Sequence, residues 1–236
     1  MIIILKKWNV CLIFSLLLIS VYSAGLFMDT MLGSESASIP AYGKKIVIDA
    51  GHGEPDGGAV GPSGVKEQEL NLKVAEYLQH FLEQSGVEVI MTRADESGLS
   101  GTDAASFHKR EDMKTREEMM NSSDADLFLS IHMNRFTESK YSGPQVFYAP
   151  NGEDSKRFAE ILQQELISVL APPSKREIKK AGSDIYLLKK AKVPAALAEC
   201  GFLSNPQEEA KLRDEAYRKE IAWALYSGII EYFAKA

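Results

Sequence analysis

Cysteine is nearly absent. Cys11 lies in an apolar N-terminal run and Cys200 in a late strand pattern, so the two fall in different environments and a disulfide framework is excluded. No Cys-x-x-Cys pair is available for a zinc knuckle, so a bound metal would need imidazole and carboxylate ligands. Histidine is also scarce, at four residues. No block of like charge stands out. The densest cationic group, Lys175, Arg176, Lys179 and Lys180, reads as a solvated loop or helix face. With a net charge of −6 and no basic patch, the chain lacks the electrostatic footprint of a nucleic-acid binder, so no nucleic-acid partner is expected. There is no internal repeat.

What is present first is an unusual N-terminus. Lys6 and Lys7 precede 21 uncharged residues, Trp8 to Met28, closed by Asp29. About 20 apolar residues suffice to cross a bilayer core, and the leading lysines predict a cytoplasmic N-terminus with an exported domain behind it. Val21 to Gly25 supplies small residues where a signal peptidase could cut. Cys11 follows a poor lipoprotein box. Residues 1–28 therefore read as a membrane anchor or as a cleaved signal peptide. Either reading puts the protein in contact with the membrane during export and places its domain outside the cytoplasm. Residues 29–43, rich in Ser, Gly and Ala, read as a linker.

Residues 44–236 carry the pattern of one well-cored domain; 45% of the chain is hydrophobic and 25% charged. Lys44–Ala50, Val87–Met91, Leu127–Ile131, Gln145–Tyr148 and Ala195–Cys200 read as strands. Gln68–Ser85, Lys109–Ser122, Ser155–Leu170 and Tyr217–Ala234 read as amphipathic helices, the first closed by Gly86. This alternation predicts a single three-layer α/β domain, with a central mostly parallel or mixed sheet flanked by helices. In such sheets functional groups gather at the carboxyl ends of strands. His52, His132 and Glu199 fall at or just past such ends. His80 and His108 lie in polar settings and read as surface residues. On the residues alone, His52 and His132 read equally as ligands or as hydrogen-bonded structural side chains. Glu199 alone reads as a strand-end ion-pair partner.

Four strings change that balance: Ile48-Asp49-Ala50-Gly51-His52-Gly53, Gly64-Val65-Lys66-Glu67-Gln68-Glu69-Leu70-Asn71-Leu72, Ser130-Ile131-His132-Met133-Asn134 and Glu199-Cys200-Gly201-Phe202-Leu203-Ser204-Asn205. In this order they resemble the blocks of the zinc-dependent N-acetylmuramoyl-L-alanine amidases, the family often called Amidase_3. The likeness spans about Lys44 to the C-terminus. It implies His52, Glu67 and His132 as Zn2+ ligands, with Glu67 rather than Glu69 as the carboxylate. It implies Glu199 as the catalytic carboxylate. Arg93 and Arg116 match family positions and are expected as structural ion-pair partners. Ala50 and Glu54 replace a common Pro and Gly, away from any ligand. Two imidazoles and one carboxylate leave the fourth position of a tetrahedral zinc open, as a catalytic site requires. Asp49 is expected either to orient a ligand imidazole or to be a buried structural residue.

The resemblance implies hydrolysis of the amide between the lactyl group of N-acetylmuramic acid and L-alanine of the peptidoglycan stem peptide. The layout, one short catalytic domain behind a signal-like segment, is similar to the spore-cortex amidases of that family. That likeness implies stem-peptide removal on the way to muramic δ-lactam, with an accessory or activating protein as a further partner. The polar, basic stretch Pro172–Ser183 is the expected place of substrate or partner contact. A zinc peptidase cutting within the stem peptide would share the ligand chemistry. A non-catalytic peptidoglycan-binding module would be expected to have lost a ligand or the base, and all four residues are present.

Overall fold

The computed structural model describes residues 15–16, 18–23, 39–101, 105–172 and 176–235. Most of the expected anchor or signal segment, with Cys11, and most of the expected linker lie outside the described residues. Residues 15–16 and 18–23 are helical. Among the described residues, no helix is long and apolar enough to cross a membrane. The unit from Ile39 to Ala236 contains all the named strands and helices.

Six strands form one mixed sheet. They are β1 (Lys45–Ala50), β2 (Glu88–Met91), β3 (Leu127–Asn134), β4 (Gln145–Tyr148), β5 (Lys179–Lys180) and β6 (Ala195–Phe202), in the order β2-β1-β3-β6-β4-β5. The neighbours from β2 to β6 are parallel, β4 is antiparallel to β6, and β5 is parallel to β4. The helices are α1 (Glu67–Gln84), α2 (Lys109–Ser122), α3 (Glu153–Leu170), α4 (Tyr186–Lys190), α5 (Pro206–Arg213) and α6 (Glu215–Ala234).

Strand side chains alternate between the two faces of a sheet, and the two cores follow this rule. Ile46, Ile48, Leu127, Leu129, Ile131, Ala196 and Ala198 join one cluster with the apolar stripes of α1, α3 and α6. Val47, Phe128, Ala195 and Leu197 join a smaller cluster under α2 and α4, with Met120 and Leu188. Each fully buried Leu or Phe contributes about 1.5–3 kcal/mol, so the three-helix face carries most of the apolar stabilisation. The thinner face is the one with room for a site. Continuing its alternation beyond Val47, Phe128 and Leu197 brings Asp49, Ser130, His132 and Glu199 to the same side, where apolar packing gives way to polar groups.

The expected strands and long helices all form, with ends displaced by at most three residues. Gly86 takes a left-handed φ of 75° just past the end of α1. Three short elements differ from the sequence reading. Lys179–Lys180 is an edge strand rather than a solvated loop or helix face. Tyr186–Lys190 and Pro206–Arg213 are helices. Pro206 opens α5, and the Asn205 side chain accepts from the amides of Gln207 and Glu208.

Candidate active site

The turn after β1 brings the first imidazole into place. His52 sits at φ 63°, a left-handed conformation that a non-glycine residue adopts at a cost of about 1–3 kcal/mol. Two buried arginines hold the turn by its carbonyls. Arg116 donates to Ala50 O at 3.0 Å and His52 O at 2.5 Å; Arg93 donates to Ala50 O at 2.8 Å and Gly51 O at 3.0 Å. Asn71 of α1 adds a bond to Gly51 O at 3.1 Å. Gly51 is required by close approach, since a Cβ there would overlap the His132 ring. At Gly58, φ 68°, a Cβ would lie 2.7 Å from both Glu67 Oε2 and His52 Cδ2.

Glu67 is the first residue of α1, where the helix dipole favours a negative charge. It is 4% exposed, and three amide N–H donors fix its oxygens: Ala59 N to Oε2 at 2.9 Å, Met133 N to Oε1 at 3.1 Å and Asn71 Nδ2 to Oε1 at 3.3 Å. The imidazoles flank it, with His132 Nδ1 2.9 Å from Oε1 and His52 Nε2 3.3 Å from Oε2. Glu69, the other carboxylate considered, is part-exposed and does not join this group. Burial disfavours the Glu67 charge, but the two imidazoles outweigh it and hold the carboxyl well below the ordinary value. Burial likewise opposes a charge on His52, while Asp56 and Glu67 push it up to about 9.

One ligand atom from each of His52, Glu67 and His132 lies within 4.8 Å of the others. Donors about 2.0–2.2 Å from a tetrahedral zinc stand roughly 3.4 Å apart. Each imidazole stands near that spacing from one Glu67 oxygen, His132 from Oε1 and His52 from Oε2, and two imidazoles with a carboxylate are the donor set of a catalytic zinc site. The residues therefore fit the ion.

Glu199 stands opposite His132 in the β3–β6 register. Its Oε2 is sealed from solvent and has no hydrogen-bond partner among the described residues. Burial pushes its carboxyl up to about 7; the His132 and His52 imidazoles pull it down and the Glu67 charge pushes it up. A cavity of about 290 Å³ opens beside it, lined also by His52, His132, Met113 of α2 and Tyr186 and Leu187 of α4. An unpartnered carboxylate beside three metal-type donors is an arrangement that can move a proton to or from a group in that cavity.

The family profile of the N-acetylmuramoyl-L-alanine amidases matches residues 46–231. The chain belongs to the N-acetylmuramoyl-L-alanine amidase family. This amidase is 38% identical, over 200 residues, to the germination-specific N-acetylmuramoyl-L-alanine amidase of Bacillus subtilis; the match spans 84% of this chain and 83% of the relative. Its fold is similar to that of the CwlD amidase of Clostridioides difficile, solved in complex with the GerS lipoprotein. The TM-score is 0.77 at 41% identity, over 82% of this chain and 100% of that one. It is also similar to the catalytic domain of CwlV from Bacillus (Paenibacillus) polymyxa var. colistinus, with a TM-score of 0.71 at 32% identity over 81% of this chain and 98% of the other.

Within the amidase, some expected roles shift. Asp49 does not bond an imidazole. It accepts from Thr92 Oγ1 at 2.8 Å, Arg116 Nη1 at 2.6 Å and Ser130 Oγ at 2.5 Å, so it is the buried structural carboxylate. Arg116 is the expected ion-pair partner, 2.6 Å from Asp49 and 2.7 Å from Asp112. Arg93 is structural without being an ion-pair partner; its guanidinium donates to the carbonyls of Ala50, Gly51, Gln68 and Asp95, because it lies under a turn rather than beside a carboxylate. β3 runs two residues past His132 and β6 three past Glu199, so both site residues lie inside strands; the β3–β6 register shifts between His132 and Asn134.

Asp56 was missed by the sequence reading. Its Oδ2 is 3.3 Å from His52 Nδ1, and Lys109 approaches the same oxygen at 3.1 Å. An acidic residue four positions after a histidine in a glycine-rich turn was the available signal. His80 and His108 are exposed, as expected. Residues 173–175 of the basic stretch lie outside the described residues. Arg176 packs over Phe202 at 5.0 Å and donates to Gln145, while Lys179 and Lys180 form β5.

Proposed function

We propose that this amidase hydrolyses the amide between the lactyl carbonyl of N-acetylmuramic acid and L-alanine of the stem peptide, with a zinc ion held by His52, Glu67 and His132. The observation that carries the reading is the unpartnered Glu199 oxygen, buried beside three converging donors at a cavity. When bound there, zinc would supply a Lewis acid for the carbonyl and for water. Glu199 takes the proton of the attacking water as oxygen adds to the lactyl carbon. It returns that proton to the alanine nitrogen as the C–N bond breaks, leaving a lactyl carboxylic acid and a free amine. Asp56 orients His52 through Nδ1, and the Arg116 and Arg93 contacts keep the His52 turn rigid during this exchange.

The germination-specific relative supports a role in spore-cortex peptidoglycan, where removal of the stem peptide frees the lactyl group for muramic δ-lactam formation. The CwlD–GerS complex supports an accessory protein as partner. Such a substrate requires an exported enzyme, secreted or held at the membrane by residues 1–28. Mass analysis of peptidoglycan fragments tests the reaction. Release of peptides beginning with L-alanine, together with glycan bearing intact lactyl acid, is expected; fragments cut inside the stem peptide would instead mark a zinc peptidase.

A further inference from the structure

A second concavity, an open groove of about 600 Å³, lies among Val60–Pro62, Arg135–Thr137 and Ser204. The chain links each wall to the site. Val60 follows Ala59, whose amide holds Glu67; Arg135 is three residues past His132; Ser204 is five past Glu199. The walls are firmly set. Ser63 is bound to Glu209 through both its amide and its hydroxyl, and Phe136 packs against Tyr141 and Phe202 with ring centres 5.0 and 5.2 Å away while its amide bonds Ser204 Oγ. Val60 and Phe136 nevertheless remain 46% and 41% exposed, an apolar surface left open in the groove.

Arg135 is the exception in its charge. The cations that line the active-site cavity are paired internally: Arg116 with Asp49 and Asp112, Lys109 with Asp56. Arg135 is exposed and has no ion pair or hydrogen bond among the described residues, in a chain of net charge −6. A free guanidinium between apolar groove walls suits a planar anion on a chain with small apolar side chains. The stem peptide has that chemistry, being short, alanine-bearing and carboxylate-rich. Resting on the amidase reading above, we infer that this groove receives the stem peptide beyond the scissile amide, and that Arg135 selects it by pairing with one of its carboxylates.

The test uses glycan tetrasaccharides carrying L-alanyl-D-glutamate, with both glutamyl carboxylates free, or the uncharged L-alanyl-D-glutamic diamide, with both amidated. Arg135→Ala is expected to raise KM about tenfold on the acid substrate, the effect of one charge-assisted contact, with kcat within about twofold and no change on the amide. Arg135→Lys is expected to restore part of the loss, and the exposed position predicts an unchanged melting temperature. An equal rise on both substrates, or none on the acid, overturns the inference. Calorimetric binding of the same two substrates to the Glu199→Gln enzyme reads the preference without turnover. A wild type that binds the acid tenfold better through Arg135 but cleaves neither at the lactyl–alanyl bond would contradict the amidase reading and leave the subsite standing.

Discussion

Two buried polar networks share the walls of the active-site cavity, and they are built on opposite plans. In one, Asp49, Arg116 and Asp112 form a closed set: Asp49 accepts from three side chains, and Arg116 spends its donors on two carboxylates and two carbonyls. In the other, Glu67 is shared by two imidazoles, and the nearby Glu199 keeps an oxygen with no partner among the described residues. A saturated network has no valence left for a ligand and serves as scaffold. An unsaturated one, held equally firmly, is poised to bind and react. The rigidity of the first makes the incompleteness of the second tolerable.

The largest effect expected from breaking this contrast comes from the open side. Glu67→Gln removes the central carboxylate, and metal analysis should find no stoichiometric zinc, with turnover at the level of chelated enzyme. On the closed side, Arg116→Ala leaves Asp49 and Asp112 buried and uncompensated, at a cost of about 3–5 kcal/mol in denaturant unfolding. The same network sets an acid limit. Burial disfavours the Asp49 charge, yet the Arg116 guanidinium and Ser130 hydroxyl hold its pKa below the usual value. Its contribution is therefore full above about pH 4, the unfolded value, and is lost as pH falls through the lowered folded value. Arg116→Ala should flatten that part of the stability profile.

A smaller effect is expected at the seam. Asp56→Asn should weaken zinc affinity about 10–100-fold in chelator competition while leaving unfolding nearly unchanged, since Asp56 acts through His52. Smallest is a site remote from both networks. Asn205→Ala removes the α5 cap and should cost about 1 kcal/mol of stability without altering turnover.

The comparison also separates what could be read from sequence. Elements with a sustained period were legible: Lys109–Ser122 and Gln145–Tyr148 form with the expected bounds. Lys179–Lys180 could not be read, because a two-residue strand has no period and exists only by pairing with β4. Tyr186–Lys190 is too short for a helical stripe, whereas Asn205-Pro206 carries a helix-start signal, a capping side chain followed by proline. In the site, the motif blocks named the open network, and alternation in β1, β3 and β6 puts Asp49, Ser130, His132 and Glu199 on one face. Which carboxylate orients His52 was not legible. That depends on the curl of the turn after His52, which brings Asp56 back to the ring while Asp49 points to Arg116.

The central claim is that three residues hold the metal while Glu199 moves the proton. Glu199→Gln, purified with zinc and assayed on peptidoglycan, tests it most directly. One zinc per chain, an unchanged melting temperature and a turnover reduced by about 10²–10⁴-fold are predicted. Wild-type turnover with zinc bound, or loss of the zinc itself, would contradict it.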